Sequence, residues 1–332
     1  AWKAEQLRMH LGWERLEADF APIFAAPPGS RRRMALHGRK AGRGGAVVGF
    51  KARRSWSLVE ISTCAISDRR LVEAIPALCQ LAAPFLEHPK SAPTLHVTWT
   101  ASGLDVDITG VERKSGGLSA DARMRAAMVA QSADMARVSL AGEVIYGARQ
   151  PIVRFGKAVV ALPPGAFLQA VEAAEAEMAR ITLDAVAGAS RVADLFCGAG
   201  AFTFRLAEIA SVYAADSAGP AVKALSSAIA SAPGLKAITA ETRDLTRRPL
   251  LSSEMKKLDA VVFDPPRAGA AEQAGEIARS SVAKVVAVSC DPATFARDAR
   301  TLVDGGFRLT KVHPIDQFLW SPHIELVATF ER

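Results

Sequence analysis

No stretch of the chain is apolar for long enough to cross a bilayer as a helix, which takes about 20 residues, so a membrane is not expected among its partners. The start, Ala1-Trp-Lys-Ala-Glu-Gln-Leu-Arg8, lacks both an initiator methionine and a signal-peptide pattern; processing or an absent upstream segment is the expectation. Cysteine is scarce. Its four copies, Cys64, Cys79, Cys197 and Cys290, are too scattered for a disulfide framework and suit a reducing compartment, with the cytoplasm as the expected location. What remains is an ordinary soluble composition, 50% hydrophobic and 23% charged over 332 residues, enough for two domains with cores of their own. The net charge of +7 favours a polyanionic partner, although charge alone decides little.

Leu7, Leu11, Leu16 and Phe20 recur at helical spacing, so residues 3–20 read as an amphipathic helix. Basic residues then crowd together: Arg31-Arg32-Arg33, His37-Gly-Arg39-Lys40 and Lys51-Ala-Arg53-Arg54 flank short strands and a glycine-rich turn. That density predicts a surface that tracks phosphates, with Arg31, Arg32, Arg33, Lys51 and Arg53 as substrate contacts. Trp56 has the chemistry to stack on a base; packing under the sheet is the plainer expectation. Residues 57–161 mix short strands with helices near 71–85 and 120–133 and hold no nucleophile, metal cluster or phosphate loop. A helix and α+β RNA-binding domain is therefore expected over 1–163 and a catalytic domain over 164–332.

Beyond residue 190 strand and helix alternate. Strands are expected over 191–196, 211–215, 236–240, 259–263 and 284–289, with helices between them, and two last strands near 307–312 and 324–330 follow without a long helix. This is the pattern of a doubly wound, Rossmann-like α/β sheet, which binds ligands beyond the carboxyl ends of its strands. Asp194-Leu-Phe196-Cys-Gly198-Ala-Gly200 follows the first of these strands, and its glycines let the backbone approach a nucleotide-like ligand. The next strand ends in Asp216, whose carboxylate can accept both ribose hydroxyls of an adenosine. A third glycine is lacking, since Thr203 stands in its place. Asp194 would repel a pyrophosphate and can meet a methionine ammonium group, so S-adenosylmethionine is preferred over NAD. Cys197 reads as a small packing residue.

Asp264-Pro265-Pro266-Arg267 ends the fourth strand, and Ser289-Cys290-Asp291-Pro292 the fifth. In methyltransferases acting on exocyclic amines a similar Asp/Asn-Pro-Pro is followed by an aromatic residue. Here Arg267 follows. That leaves carbon methylation, which needs a nucleophile because pyrimidine C5 attacks a sulfonium methyl poorly, and Cys290 is the candidate. A core cysteine is the bland alternative.

Phe167-Leu-Gln169, Asp194 to Gly200, Asp264-Pro-Pro-Arg-Ala-Gly269, Ser289 to Pro292 with Arg297-Asp298, and His323-Ile-Glu325 occur in the order found in the S-adenosylmethionine-dependent RNA 5-methyluridine methyltransferases of tRNA and 23S rRNA. About half of the chain resembles that family strongly; residues 1–160 do so more weakly, through Arg31-Arg-Arg33, Gly49-Phe50 and Cys64. The resemblance implies methyl transfer to C5 of a uridine, with 23S rRNA favoured over tRNA. Cys290 is implied as the nucleophile that adds to C6, Glu325 as the base and Asp264 as the hold on the uracil edge. Gln169, Asp194, Phe196, Gly198, Gly200, Asp216, Asp244 and Asp264 are implied around the cofactor, and Arg267 beside the RNA.

Departures accompany the match. Val171 stands where the family has Asn, Asp291 where Asn is more usual, and Asp216 where Glu is frequent. Many members bind a 4Fe-4S cluster through three close cysteines and a fourth that matches Cys64; the first three are not in this sequence and one cysteine cannot hold such a cluster, so either the upstream segment is missing from this chain or this member has no cluster. The OB-like RNA-binding domain of many members is not expected within these 332 residues. A 5-methylcytidine enzyme would carry cysteine at Arg267, and a dinucleotide oxidoreductase leaves Cys290 and Glu325 without a role. A non-catalytic RNA-binding homologue is the remaining alternative, and a monomer is the expectation.

Overall fold

In the computed structural model, which describes residues 2–42, 45–52, 55–112 and 118–332, the chain divides into two compact units. One contains residues 1–26, 154–160 and 172–332; the other contains 27–153 and 161–171.

The first unit is built on a nine-stranded sheet. Its centre is the parallel set Ile238–Thr242, Ser211–Asp216, Arg191–Leu195, Ala260–Phe263 and Lys284–Ser289, in that spatial order. Ala260–Phe263 is buried at every position, as a strand covered by helices on both faces must be. Glu325–Glu331 comes next and runs antiparallel to both of its neighbours, Lys284–Ser289 and Arg308–Asp316. This reversal decides the site, because it brings the start of the last strand to the edge where the parallel strands end. The helix Pro292–Asp304 begins where two signals coincide: Pro292 at its first turn, and Asp291, whose carboxylate accepts from the amides of Ala293 and Thr294 at 3.0 and 3.1 Å. Aspartate thus does the capping that asparagine could do at that position.

The expected boundary at 163 is not where the compact units divide. The helix Trp2–Trp13 buries Leu7 and Leu11 in the same core as Phe295, Leu302 and Phe307 of the first unit. Two pairs of residues that follow, Asp19–Phe20 and Phe24–Ala25, pair in parallel with Arg308–Asp316. They satisfy the backbone groups that this strand would otherwise leave unpaired at the sheet edge. A two-residue strand has no period to read, so the sequence pattern is silent about it.

The second unit is α+β. Its seven strands lie in the order Leu58–Glu60, Ala46–Lys51, Arg33–Lys40, Thr94–Thr100, Gly103–Thr109, Arg137–Leu140 and Glu143–Gly147, all antiparallel except the pair Gly103–Thr109 and Arg137–Leu140. Leu95, Val97, Leu104, Val106 and Ile108 fill one core with Leu78 and Leu81 of the helix Ile75–Ala82 and Ala126 and Ala130 of the helix Ala120–Ser132. Alternate residues take the other face, where Arg137 donates to both oxygens of Asp105 at 2.8 and 2.7 Å.

Two expectations about the basic region need correcting. Arg32, expected at a phosphate-tracking surface, is buried, with Nε donating to the carbonyl of Gln169 at 3.1 Å. Arg33 donates to the carbonyl of Leu168 and lies over the Phe167 ring at 5.3 Å, while Arg31 Nε donates to the carbonyl of Arg33 at 2.8 Å. The triplet braces residues 167–169, and burial lowers the pKa of Arg33 to about 10 and also lowers that of Arg31. Trp56, expected beneath the sheet, is 88% exposed, with Lys51 Nζ 4.5 Å from its ring centre. The core face of this sheet is already filled by Leu36, Val48, Leu78 and Leu81. Arg53 lies outside the described residues.

Candidate active site

The residues singled out for chemistry converge at the carboxyl edge of the first unit's sheet. Asp194 lies within the strand Arg191–Leu195, Asp216 ends the next, Asp264 follows Ala260–Phe263 and Cys290 follows Lys284–Ser289. In the antiparallel ladder Ser289 pairs with Leu326. One further step along that register sets Cys290 opposite Glu325. A thiol and a carboxylate far apart in sequence therefore become cross-strand neighbours, a separation bridged only because the last strand is reversed.

Asp194 is fully buried, and only one of its oxygens is satisfied: Thr203 Oγ1 donates to Oδ2 at 2.5 Å, and Oδ1 has no hydrogen-bond partner. Thr203, which breaks the three-glycine fingerprint, thus gains a function as the residue that orients Asp194. Burial, followed by the charges of Asp264 and Asp216, pushes the Asp194 pKa up to about 7. Such a group favours the fold fully below the unfolded pKa of about 4, and that contribution is lost as pH rises to the folded value. Asp194→Asn is accordingly expected to raise the thermal midpoint at pH 8 more than at pH 5 while weakening binding of S-adenosylmethionine. Calorimetry at the two pH values checks it.

The loop after Asp194 turns sharply. Phe196 sits at φ 62°, Gly198 at 53° and Gly200 at 98°. A Cβ on Gly200 would lie 2.8 Å from the Phe204 ring, so this glycine allows helix and loop to pack closely. A Cβ on Gly198 would meet nothing within 4 Å. The backbone there borders open space, and Gly198 also donates its amide to Asp216 Oδ2 at 2.9 Å. Asp216 Oδ1 accepts from the amide of Ala218 at 2.7 Å. An orphaned buried carboxylate oxygen, an open glycine turn and a carboxylate at the end of the second strand fit an ammonium-bearing adenosine cofactor. Asp244 is exposed and holds the turn after the third strand, accepting from the amides of Thr246 and Arg247 at 3.1 and 3.3 Å. Cys197 is buried and its pKa is raised by burial and by Asp194 and Asp216, which suits a packing residue. Gln169 belongs to the second unit, buried, with its carbonyl bound by Arg32.

Cys290 is half-buried. Burial first, and then the charges of Glu325 and Asp264, push its pKa up to about 11; the charge of Arg267 and its hydrogen bond to the thiol pull the other way. Glu325 is 4% exposed, and burial together with Asp264 pushes its pKa up to about 8, opposed by a hydrogen bond from Gln317 and by Arg267. Asp264 therefore bears electrostatically on Asp194, Cys290 and Glu325 alike. Arg267 Nη2 also lies 3.3 Å from His323 Nδ1, which joins the two motif segments directly. The loop that carries Arg267 is fastened from behind. Asp298 is buried, accepts from the amide of Ala270 at 2.7 Å and from Arg297 at 2.9 and 2.7 Å, while Arg297 Nη2 reaches the carbonyl of Ala268 at 3.1 Å. The Arg297-Asp298 motif has this structural purpose.

Sequence reasoning missed Gln317. It is 3% exposed and donates from Nε2 to Glu325 Oε1 at 3.3 Å. A glutamine immediately after a strand carries no signal by itself; the pairing of Ile315 with Glu325 is what brings it there.

A family model described as tRNA (Uracil-5-)-methyltransferase matches residues 156–332. The chain belongs to this family. An "Uncharacterized RNA methyltransferase" of Caulobacter vibrioides is 68% identical over 100% of the chain and 80% of its own length. The 23S rRNA (uracil(1939)-C(5))-methyltransferase RlmD of Alkalilimnicola ehrlichii is 33% identical, over 97% of the chain and 75% of its own length. Among solved structures, Pyrococcus abyssi tRNA (uracil-54, C5)-methyltransferase, in complex with S-adenosyl-L-homocysteine, superposes with a TM-score of 0.72 at 22% identity, covering 99% of this chain and 81% of that one. The fold is that of this uracil-5-methyltransferase family. An iron–sulfur cluster does not fit the described residues: they contain no group of three or more His, Cys, Asp or Glu able to hold a metal, and Cys64 instead accepts from Ser67 Oγ at 3.2 Å. Nor is any helix among them long and apolar enough to cross a membrane.

Proposed function

We propose that the chain methylates C5 of a uridine in RNA, with 23S rRNA as the preferred substrate, through a covalent bond between Cys290 and C6 of the target base. The observation that carries this reading is the cross-strand opposition of Cys290 and Glu325 beside Asp264 and Arg267. The choice of 23S rRNA is supported by the Alkalilimnicola relative, whose printed activity concerns that RNA.

When bound, S-adenosylmethionine supplies the methyl group. Asp194, through Oδ1, would hold its ammonium group, Asp216 its ribose, and the turn from Phe196 to Gly200 would leave room for it. Arg267 hydrogen-bonds the Cys290 thiolate, offsetting the burial that otherwise keeps the thiol protonated. The thiolate forms a bond to uracil C6, the electron pair displaced from the C5–C6 double bond makes C5 nucleophilic, and C5 would take the methyl group as its bond to the sulfonium sulfur breaks and leaves the pair on that sulfur. Asp264 holds the polar edge of the base. With the methyl in place, the Glu325 carboxylate removes the C5 proton. The electrons of that C–H bond restore the double bond and expel Cys290 as thiolate. Both faces of the ring are used, so the uridine must leave its stack.

The RNA surface of the second unit is better assigned to Arg39, Lys40, Lys51 and Trp56, all exposed, than to the braced triplet Arg31 to Arg33. Stacking of a base on an aromatic ring contributes about 1–3 kcal/mol. Trp56→Ala is therefore expected to raise KM for RNA by about tenfold with kcat unchanged, read from initial rates over a range of RNA concentration.

The experiment that tests the function is transfer of labelled methyl from S-adenosylmethionine to unmodified rRNA and tRNA, followed by nucleoside analysis. Label in 5-methyluridine, strongest in 23S rRNA, is the expected result. Label in 5-methylcytidine or in an exocyclic methylamine would overturn it.

A further inference from the structure

Glu325 must work twice in each turnover. It has to be a carboxylate when it takes the C5 proton, and it becomes a neutral acid, still buried, the moment it has done so. A buried carboxyl that changes charge in place needs a partner able to serve both forms, because either form left unpaired carries a desolvation penalty. Lysine or arginine would serve only the carboxylate, and an aliphatic residue neither.

The partner found in the structure is Gln317. The strand Arg308–Asp316 pairs with the last strand so that Ile315 lies opposite Glu325, and the chain turns immediately afterwards. Gln317 is thereby carried under the carboxyl group, where its Nε2 donates to Glu325 Oε1 at 3.3 Å with both side chains buried. The turn is pinned: Asp316 Oδ1 accepts from Lys3 Nζ at 2.6 Å and from the amide of Phe318 at 3.1 Å, and Lys3 Nζ also reaches the carbonyl of Phe318 at 2.8 Å. Gln317 is held on both sides in sequence by contacts that do not involve Glu325.

We propose that Gln317 is a positioning residue for the base: its amide donates to the Glu325 carboxylate before proton abstraction and, by rotating, accepts from the Glu325 carboxylic acid afterwards. This rests on Glu325 acting as the base in the proposed reaction. An amide presents NH2 and carbonyl oxygen at the ends of one planar group, so a half-turn about its last bond exchanges donor for acceptor without moving the side chain. No proton is exchanged with Gln317. The proton taken from C5 stays on Glu325 until solvent removes it after the product leaves.

The groups facing Glu325 make the direction of the effect definite. Asp264 repels its charge and Arg267 attracts it, while Cys290 stands opposite and His323 is bound to Arg267. The Gln317 hydrogen bond opposes burial by favouring the charged form. Loss of the donor would leave more of the enzyme with Glu325 protonated at neutral pH, so abstraction would need a more alkaline medium.

The test uses Gln317→Met, which keeps the volume and removes both hydrogen-bonding groups, and Gln317→Asn, which keeps the amide on a shorter arm. Release of tritium from RNA carrying [5-3H]uridine reports proton abstraction, and it is followed from pH 6 to pH 10 for wild type and both variants. Tritium release by the wild type, with 5-methyluridine formed, first establishes the underlying reaction; its absence would defeat that reading rather than this one. For Gln317→Met the expected result is a limb of the pH–rate profile moved to higher pH and a fall in kcat of about tenfold at pH 7.5. KM for RNA and binding of S-adenosylmethionine should be unchanged, and the protein–RNA adduct should accumulate on denaturing gels. Gln317→Asn should lie between. A Gln317→Met enzyme with the wild-type profile and no added adduct would overturn the proposal, as would a fall in kcat at every pH without displacement of the limb.

Discussion

In Cys290→Ala, formation of 5-methyluridine falls by about 10⁴-fold or more, the scale on which loss of a covalent nucleophile is felt, while S-adenosylmethionine still binds. The two effects separate because Cys290 follows the strand Lys284–Ser289, whereas the proposed cofactor contacts Asp194, Gly198 and Asp216 lie in or just after the strands Arg191–Leu195 and Ser211–Asp216. Equilibrium binding of the cofactor and single-turnover methyl transfer, measured on the same preparation, check both halves. Retention of turnover by the alanine variant would remove the covalent step altogether. Cys290→Ser is expected to be nearly as inactive, since a hydroxyl is a far weaker nucleophile than a thiolate. The pH dependence has a definite sign as well. Burial, Glu325 and Asp264 raise the thiol pKa, and burial raises that of Glu325, so both groups gain their reactive form as pH rises and the rate should climb through pH 8.

Glu325→Gln is expected to fail later in the cycle. Addition by Cys290 and methyl transfer need no base at position 325, but release does, so turnover falls roughly 10²- to 10⁴-fold while enzyme and RNA remain joined. The joined species should resist heating in detergent and disappear when the RNA is digested. The removal of a buried negative charge acts on the thiol too. With Glu325 neutral, one of the two carboxylates that push the Cys290 pKa upward is gone, so the adduct should form at least as readily at neutral pH as in the wild type. A variant that neither turns over nor forms an adduct would show that Glu325 serves the addition step instead.

Much of this site was legible in residue order. Apolar runs bounded by Asp194, Asp216, Asp264 and Cys290 read directly as strands of one sheet, because buried parallel strands are continuous in their hydrophobicity. The opposition of Cys290 and Glu325 could be expected only by supposing that the last strand is reversed, as it is. Other features depend on tertiary context that no local pattern encodes. The helix Trp2–Trp13 buries Leu7 and Leu11, and nothing in its residues says that Phe295 and Leu302 are its neighbours. Arg31, Arg32 and Arg33 look like a phosphate contact in sequence because charge density is visible there and the direction of a side chain is not; their guanidinium groups turn to the chain's own carbonyls. Gln317 escaped for a related reason: a single polar residue after a strand acquires meaning only when the register of the next strand is known.

The account turns on a bond between one sulfur and one ring carbon. The measurement that meets it most directly is mass spectrometry of Glu325→Gln after incubation with 23S rRNA and S-adenosylmethionine, with protease and nuclease digestion. The expected species is the peptide containing Cys290 bearing one methylated dihydrouridine nucleotide. An unmodified Cys290 peptide, or the nucleotide attached to Cys64, Cys79 or Cys197, would contradict it.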